Sequence, residues 1–477
     1  MKRKYLADLE HWLTSPDRKP LMVWGARQVG KSYLIEELFA KKHFPNRYLR
    51  IDCSDDTTFV DYVFSNSKLS DVLAYIELTY DFKADKDHLL IFDEAQDCLP
   101  IVKMMKHFCE QHREIPVIVT GSLVRLKIMR DAHKRGQYAK DTKFLFPVGK
   151  INQLYVFPMT FDEFLLNDNP GLLDYLSTHF QKQIPLEPVI HQKALDALQN
   201  YLFVGGMPEV VDTYLKNREN GPLGLQAVVN KLQEIYDDYL ADMDLYQASP
   251  ESIVRSRAVY RDIYRQLNKE NKNFKFSLVE EKAKGRDMAN PIAWLVTAKV
   301  VNQSFLLKEK VTTPFVKEGD SLTRLYLSDM GMFTYQSGLN VKTFLTNKGN
   351  ALSGIYFENF VACELSARRI GLFYWKGKRD SEMEFLLDID GCPTPIDVKK
   401  GRSNLNSLKE FRTHNSNGLA IKISSNQYGY DQETSLLTLP LYYLSFYLDK
   451  LQKGAINGKE KVAELRHQLL ENVLISR

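Results

Sequence analysis

The chain reads as an α/β protein: a parallel sheet carrying a phosphate-binding loop, followed by further domains. Three observations carry that reading. First, the apolar run Leu21-Met22-Val23-Trp24 enters the Gly-rich stretch Gly25-Ala26-Arg27-Gln28-Val29-Gly30-Lys31-Ser32, and the amphipathic residues 33–40 leave it, which is strand, loop, helix. Second, the apolar run His88-Leu89-Leu90-Ile91-Phe92 ends in Asp93 and Glu94, as a strand buried on both faces would. Third, 477 residues exceed one ordinary domain, and about three fit that length.

The loop is the best-determined element. Its glycines let the backbone fold tightly enough for N–H groups to face an anion, and the helix that follows adds unpaired donors and partial positive charge. Lys31 is then expected to reach the β- and γ-phosphates and Ser32 to hold Mg2+. In chain order a strand at Arg47-Tyr48-Leu49-Arg50-Ile51 follows, and then the strand ending in Asp93, on the metal side, and Glu94, placed to orient the attacking water. The run Ile115-Pro116-Val117-Ile118-Val119-Thr120 predicts a third strand, with Gly121 and Ser122 at its tip. Thr120 and Ser122 are candidate sensors of the γ-phosphate; capping of the next helix by Ser122 is the alternative. Asn152-Gln153-Leu154-Tyr155-Val156-Phe157 supplies a further strand, stopped by Pro158. Ligands of open parallel sheets bind beyond the carboxyl ends of the strands, where all these loop residues fall.

Composition narrows the class without naming it. With 44% hydrophobic and 26% charged residues the chain is ordinary globular protein, neither low-complexity nor disordered. A formal charge of +4 gives no bulk argument for nucleic acid. The five cysteines are scattered and form no C-x-x-C pair, so reduced thiols in a cytoplasmic protein are expected and no zinc site is visible. The N-terminal residues lack the apolar core of a signal peptide, and no apolar run reaches membrane-spanning length, so no membrane partner is expected.

Taken together, the motifs resemble the AAA-type P-loop ATPases. More narrowly, their order resembles a prokaryotic family that joins such a module to a C-terminal domain of unknown function with a PD-(D/E)XK nuclease-like core. The resemblance rests on residues 25–32, Ile91-Phe92-Asp93-Glu94-Ala95-Gln96, Thr120-Gly121-Ser122 and Phe157-Pro158-Met159-Thr160-Phe161-Asp162-Glu163-Phe164, then on Gly205-Gly206-Met207-Pro208-Glu209, Leu327-Ser328-Asp329-Met330-Gly331, Glu358-Asn359-Phe360 and Pro395-Ile396-Asp397-Val398-Lys399. It implies an ATPase core over 1–160, a helical lid over 161–248 containing the Gly205-Gly206 turn, a winged-helix-like domain over 249–345, a nuclease-like α/β domain over 346–450 and a terminal helix over 451–477. One departure is that Gly149-Lys150 stands where relatives carry Gly-Arg, and lysine lacks arginine's planar fork. Arg125, Arg130 and Arg135 are alternative cations, or a solvated basic face.

Further along, Phe274-Lys275-Phe276-Ser277-Leu278 reads as a short strand, residues 292–298 as a helix, and the runs around 305–307 and 325–327 as a strand pair. In the C-terminal part, residues 372–375, 382–387 and 395–399 read as strands, with Asp390-Gly391 turning between the last two. Residues two apart on a strand share a face, so Asp397 and Lys399 point together, and a suitable register brings Glu384 beside them. The resemblance adds Glu358 as a helix acid. Such carboxylates with a lysine are what metal-dependent phosphodiester cleavage needs. The expected function is a Mg2+-dependent ATPase acting as a switch or motor, with ATP and Mg2+ bound by residues 25–32 and Asp93, and with Lys31 and Glu94 catalytic. The alternatives are an ATP-regulated nuclease acting on DNA or RNA through Glu358, Glu384, Asp397 and Lys399, and a slowly hydrolysing interaction protein. The partners expected beside ATP are DNA or RNA, a second copy of the chain, or another protein.

Overall fold

The computed structural model describes residues 1–66, 68–121, 147–246, 249–281, 283–319, 322–346, 354–378, 381–399, 405–415, 418–452 and 454. Ser122, Arg125, Arg130, Arg135 and the terminal helix expected over 451–477 fall outside these residues, apart from 451, 452 and 454. The chain divides into two compact units. One comprises 1–157, 237–256 and 293–299; the other comprises 158–236, 257–292 and 300–477.

The first unit is built on five parallel strands: β1 (Leu21–Trp24), β2 (Tyr48–Asp52), β3 (Leu89–Asp93), β4 (Val117–Thr120) and β5 (Asn152–Tyr155). All five fall on runs expected to be strands. Their order is β2-β3-β4-β1-β5, so β4 separates the phosphate-loop strand from the strand that carries the acids. Every residue of β1, β3 and β4 is buried, whereas the edge strands β2 and β5 are half exposed. That contrast explains why the inner strands read as unbroken apolar runs. Phe92 stacks on Phe59 with ring centroids 5.9 Å apart, and Phe108 and Val102 are fully buried in the same cluster. Each such side chain contributes roughly 1.5–3 kcal/mol when removed from water.

The second unit opens with the helices Phe161–Asp168, Pro170–Lys182, Pro188–Val204 and Pro208–Asn217. Three of them start with proline at the first position, whose missing N–H costs nothing there. Two sheets follow. The first contains β6 (Val301–Leu306), β7 (Thr323–Leu327), β8 (Leu372–Lys376) and β9 (Glu382–Met383), in the order β7-β6-β8-β9. The second contains β10 (Phe385–Ile389), β11 (Cys392–Val398), β12 (Ala420–Ser424), β13 (Gly429–Asp431) and β14 (Leu436–Pro440), in the order β10-β11-β12-β14-β13.

Three expectations for this region change. The pair β6–β7 forms, but it is not the free hairpin of a winged helix, because β6 also pairs in parallel with β8. The sheet therefore crosses the boundary expected at residue 345. Residues 274–278 hold a 3-10 turn at Phe276–Leu278 instead of a strand. Likewise the strand expected over 382–387 is two strands: β9 pairs with β8, β10 pairs with β11, and Glu384 stands at the switch between the sheets.

The turn expected at Asp390-Gly391 is present. Both residues have positive φ, 49° and 78°, and Ile389 pairs with Cys392 across it. The Gly205-Gly206 turn belongs to the second unit. A Cβ on Gly206 would lie 2.1 Å from the Met159 carbonyl oxygen, so only glycine fits there. Asp329 accepts from the Gly206 N–H at 2.7 Å and the Met332 N–H at 2.9 Å, which ties the motif at 205–209 to the motif at 327–331. Burial nevertheless holds the Asp329 carboxyl up at about 6.

Candidate nucleotide site and a second charged cluster

The phosphate loop closes because two of its residues take left-handed backbone, Gln28 at φ 63° and Gly30 at φ 82°. At its start Gly25 is irreplaceable, since a Cβ there would lie 2.4 Å from the Val156 carbonyl oxygen. From Lys31 the chain runs on as a helix, Lys31–Tyr33, Leu34–Ala40 and Lys41–His43, with the first N–H groups directed at the loop. Ala26 and Val29 are buried and Arg27 is exposed. Arg3 braces the loop from the N-terminus: its guanidinium donates to the Val29 carbonyl at 2.6 Å and the Phe157 carbonyl at 2.8 Å.

The expected residues converge. Lys31 Nζ donates to the Ala26 carbonyl at 2.7 Å and the Gly25 carbonyl at 3.2 Å. It is buried, and burial lowers its pKa to about 8 even though Glu94 and Asp93 pull the other way. Ser32 Oγ donates to Asp93 Oδ2 at 2.9 Å. Glu94 follows in a left-handed conformation, φ 45°, which is costly for a residue with a side chain and re-aims it away from the strand. Its carboxylate accepts from Gln96 Nε2 at 2.5 Å. Thr120, at the tip of β4, is fully buried, and its hydroxyl has no hydrogen-bond partner among the described residues. A buried orphan hydroxyl between the loop strand and the acid strand is a group awaiting a ligand or water.

Two features escaped the sequence reading. Arg50 donates to Asp93 Oδ2 from Nε at 3.0 Å and from Nη2 at 2.7 Å, and Nη2 also meets Asp52 at 2.8 Å. Parallel pairing of Asp52 with Asp93 puts the three side chains on one face, a register that no local pattern states. Residues 237–256, assigned to the first unit, bring a second set of contacts. Asp242 pairs with Arg27, Asp238 Oδ2 accepts from Gln28 Nε2 at 2.5 Å, and Tyr239 OH donates to the Arg27 carbonyl at 3.1 Å. Asp238 and Asp242, one helical turn apart, carried the only available signal. Lys150, at the departure from the resembled pattern, pairs with Glu110 at 2.9 Å.

The four C-terminal candidates also come together, within the second unit. Lys399 Nζ lies 2.6 Å from Glu384 Oε1 and 3.4 Å from Asp397 Oδ1, and Lys272 Nζ lies 2.5 Å from Glu358 Oε2. Lys272, Arg324 and Glu382 are members that the sequence reading did not include. Lys272 also meets Glu382 at 3.1 Å, and Arg324 Nη2 meets Glu382 at 2.6 Å. Burial pushes the Glu384 carboxyl up to about 7, with Lys272 and Lys399 opposing. For Glu358 the nearby Lys272 and Arg324 outweigh burial and hold it below its ordinary value. Among the described residues no group of three or more His, Cys, Asp or Glu side chains is arranged to hold a metal ion. No helix among them is long and apolar enough to cross a membrane.

Curated proteins offer no match. Among solved structures, the chain is similar to a Walker-type ATPase of Pyrococcus abyssi at 14% identity, over 71% of this chain and 95% of that one, with a TM-score of 0.43. Residues 195–343 and 353–442 match two families described as domains of unknown function, DUF8612 and DUF4143. Residues 17–165 match the family described as an AAA domain, and the matched part carries the phosphate loop together with Asp93 and Glu94.

Proposed function

We propose that the protein is a Mg2+-dependent ATPase whose turnover serves as a switch or motor for its C-terminal region. One observation supports the reading: Ser32 Oγ donates to Asp93 Oδ2, and the Lys31 ammonium on the loop carbonyls lies close enough to Asp93 and Glu94 to feel both charges, at the carboxyl ends of β1 and β3. The Lys31 ammonium is buried on carbonyl oxygens alone, an under-neutralised cation suited to phosphate. Mg2+ fits, because Ser32 Oγ and Asp93 Oδ2 offer hard oxygen donors side by side, and Mg2+ takes few protein ligands beside phosphate and water. When bound, the ion would be held by these two residues and would neutralise charge developing on the phosphates.

The chain's own residues do the rest. Loop amides and the helix N-terminus cradle the phosphates. Lys31 leaves its carbonyl partners for the β- and γ-phosphate oxygens, while Glu94 accepts a hydrogen bond from the attacking water and Gln96 fixes its orientation. Thr120 donates to the γ-phosphate or that water. Arg50 holds Asp93 Oδ2 in place with two hydrogen bonds.

ATP binding and turnover test the reading. Lys31→Ala is expected to abolish binding. Glu94→Gln is expected to keep binding and lose at least about 100-fold in turnover, the scale of one positioned base. Normal turnover in Glu94→Gln would assign the base wrongly. Protection of the C-terminal region from proteolysis that is the same with and without ATP would count against the switch.

A further inference from the structure

We propose that the carboxylate cluster of Glu358, Glu382, Glu384 and Asp397 carries its own cation: the Lys272 ammonium stands where a divalent metal would have to stand, and the cluster takes none. Cleavage chemistry at this position would need the carboxylates free to ligate. They are not. Lys272 Nζ sits among three of them, 2.5 Å from Glu358 Oε2, 3.1 Å from Glu382 Oε1 and 3.9 Å from Glu384 Oε1. The ammonium donates hydrogen bonds to Glu358 and Glu382, and Glu384 is an ion-pair neighbour beyond hydrogen-bond distance.

The remaining oxygens are engaged as well. Glu358 Oε1 accepts from Tyr326 OH at 2.7 Å, and Glu382 Oε2 from Arg324 at 2.6 Å. Glu384 accepts from Lys399 at 2.6 Å on Oε1 and from the Val398 N–H at 3.1 Å on Oε2. Every oxygen of these three glutamates faces a donor, and Asp397 Oδ1 lies 3.4 Å from Lys399 Nζ; Asp93 Oδ2 also faces donors, so what sets this cluster apart is the ammonium seated among three carboxylates.

Charge counting points the same way. Four carboxylates against Lys272, Arg324, Lys399 and Lys422, the register partner of Asp397, leave no formal charge. A divalent ion would add two positive charges around side chains that are 1% exposed, Arg324 and Glu384. An uncompensated buried charge is strongly unfavourable. Without Lys272 the cluster carries a formal negative charge, which draws a cation in. The ammonium is also not held by a flexible stem alone. Its neighbours are pinned, Asn273 Oδ1 by Tyr374 OH at 2.8 Å and the Phe274 N–H on the Thr323 carbonyl at 2.8 Å.

Mn2+ titration of the nucleotide-free full chain, read by electron paramagnetic resonance, tests this. The wild type is expected to bind no Mn2+ that Asp397→Asn removes. Lys272→Met is expected to bind Mn2+ and to melt at a temperature that rises with Mn2+, both effects disappearing in the double variant with Asp397→Asn. A wild-type Mn2+ site lost on Asp397→Asn overturns the proposal, and this arm needs no folded Lys272 variant. So does a folded Lys272→Met that binds no Mn2+.

Discussion

Lys31, which is buried, and Lys272, which is half-buried, both lie near carboxylates and end in opposite electrostatic states. At Lys31 the bonded partners are carbonyl oxygens, the acids lie further off, and burial drags the pKa down to about 8. At Lys272 carboxylates lie within bonding distance, their attraction outweighs burial, and the pKa rises above its ordinary value. A desolvated ammonium short of negative charge is a binding site for an anion. One saturated with carboxylates is a structural part. Burial alone does not separate the two; the identity of the nearest oxygen does.

Substituting each lysine probes that contrast most directly. Lys272→Ala is expected to cost about 3–5 kcal/mol of folding stability, since it strands buried carboxylates, measured by chemical denaturation. Lys31→Ala should leave the denaturation midpoint nearly unchanged yet weaken ATP binding at least about 100-fold, roughly 3 kcal/mol, measured by calorimetry. Equal stability losses in the two variants would break the comparison.

Glycine positions sharpen it. Gly206→Ala forces a Cβ onto a backbone oxygen and is expected to cost about 2–3 kcal/mol. Gly149→Ala, with φ 75° and open space around it, should cost only about 1 kcal/mol. A further effect is in pH. Phosphate binding raises the depressed Lys31 pKa, so the bound state holds a proton that the free state loses above about 8. ATP affinity should then fall up to about tenfold per pH unit above 8, with proton uptake visible as a buffer-dependent binding heat. No buffer dependence at pH 9 would mean that Lys31 stays charged in the free protein. In the second cluster burial would raise the Glu382 pKa, but Arg324 and Lys272 outweigh it and hold it at about 2. Its folded value lies below its ordinary one, so it stabilises the fold above about pH 4.5 and loses that contribution as pH falls towards 2. Glu382→Gln should flatten that acid limb.

Legibility followed sequence separation. The strands β1, β3 and β4 were readable because a buried parallel strand is apolar along its whole length, and residues 25–32 because a tight anion loop demands glycine at fixed spacing. The hairpin at Asp390-Gly391 was readable for a similar local reason. By contrast, the paired runs around 305–307 and 325–327 suggested a self-contained wing, since nothing local announces that β8 will add to the same sheet. The break at Glu384 was hidden because a strand that changes sheets keeps the same alternation.

The sequence by itself determined the phosphate loop, the strands that flank it and the two acids, because each is dictated by neighbours within a few residues. Only the tertiary structure decided which charges meet. Arg50 reaches Asp93 through strand order, Asp242 reaches Arg27 across 215 residues, and Lys272 reaches Glu358 across 86. Coulomb energy depends on distance in space and on burial, and neither is written in the local pattern of a chain.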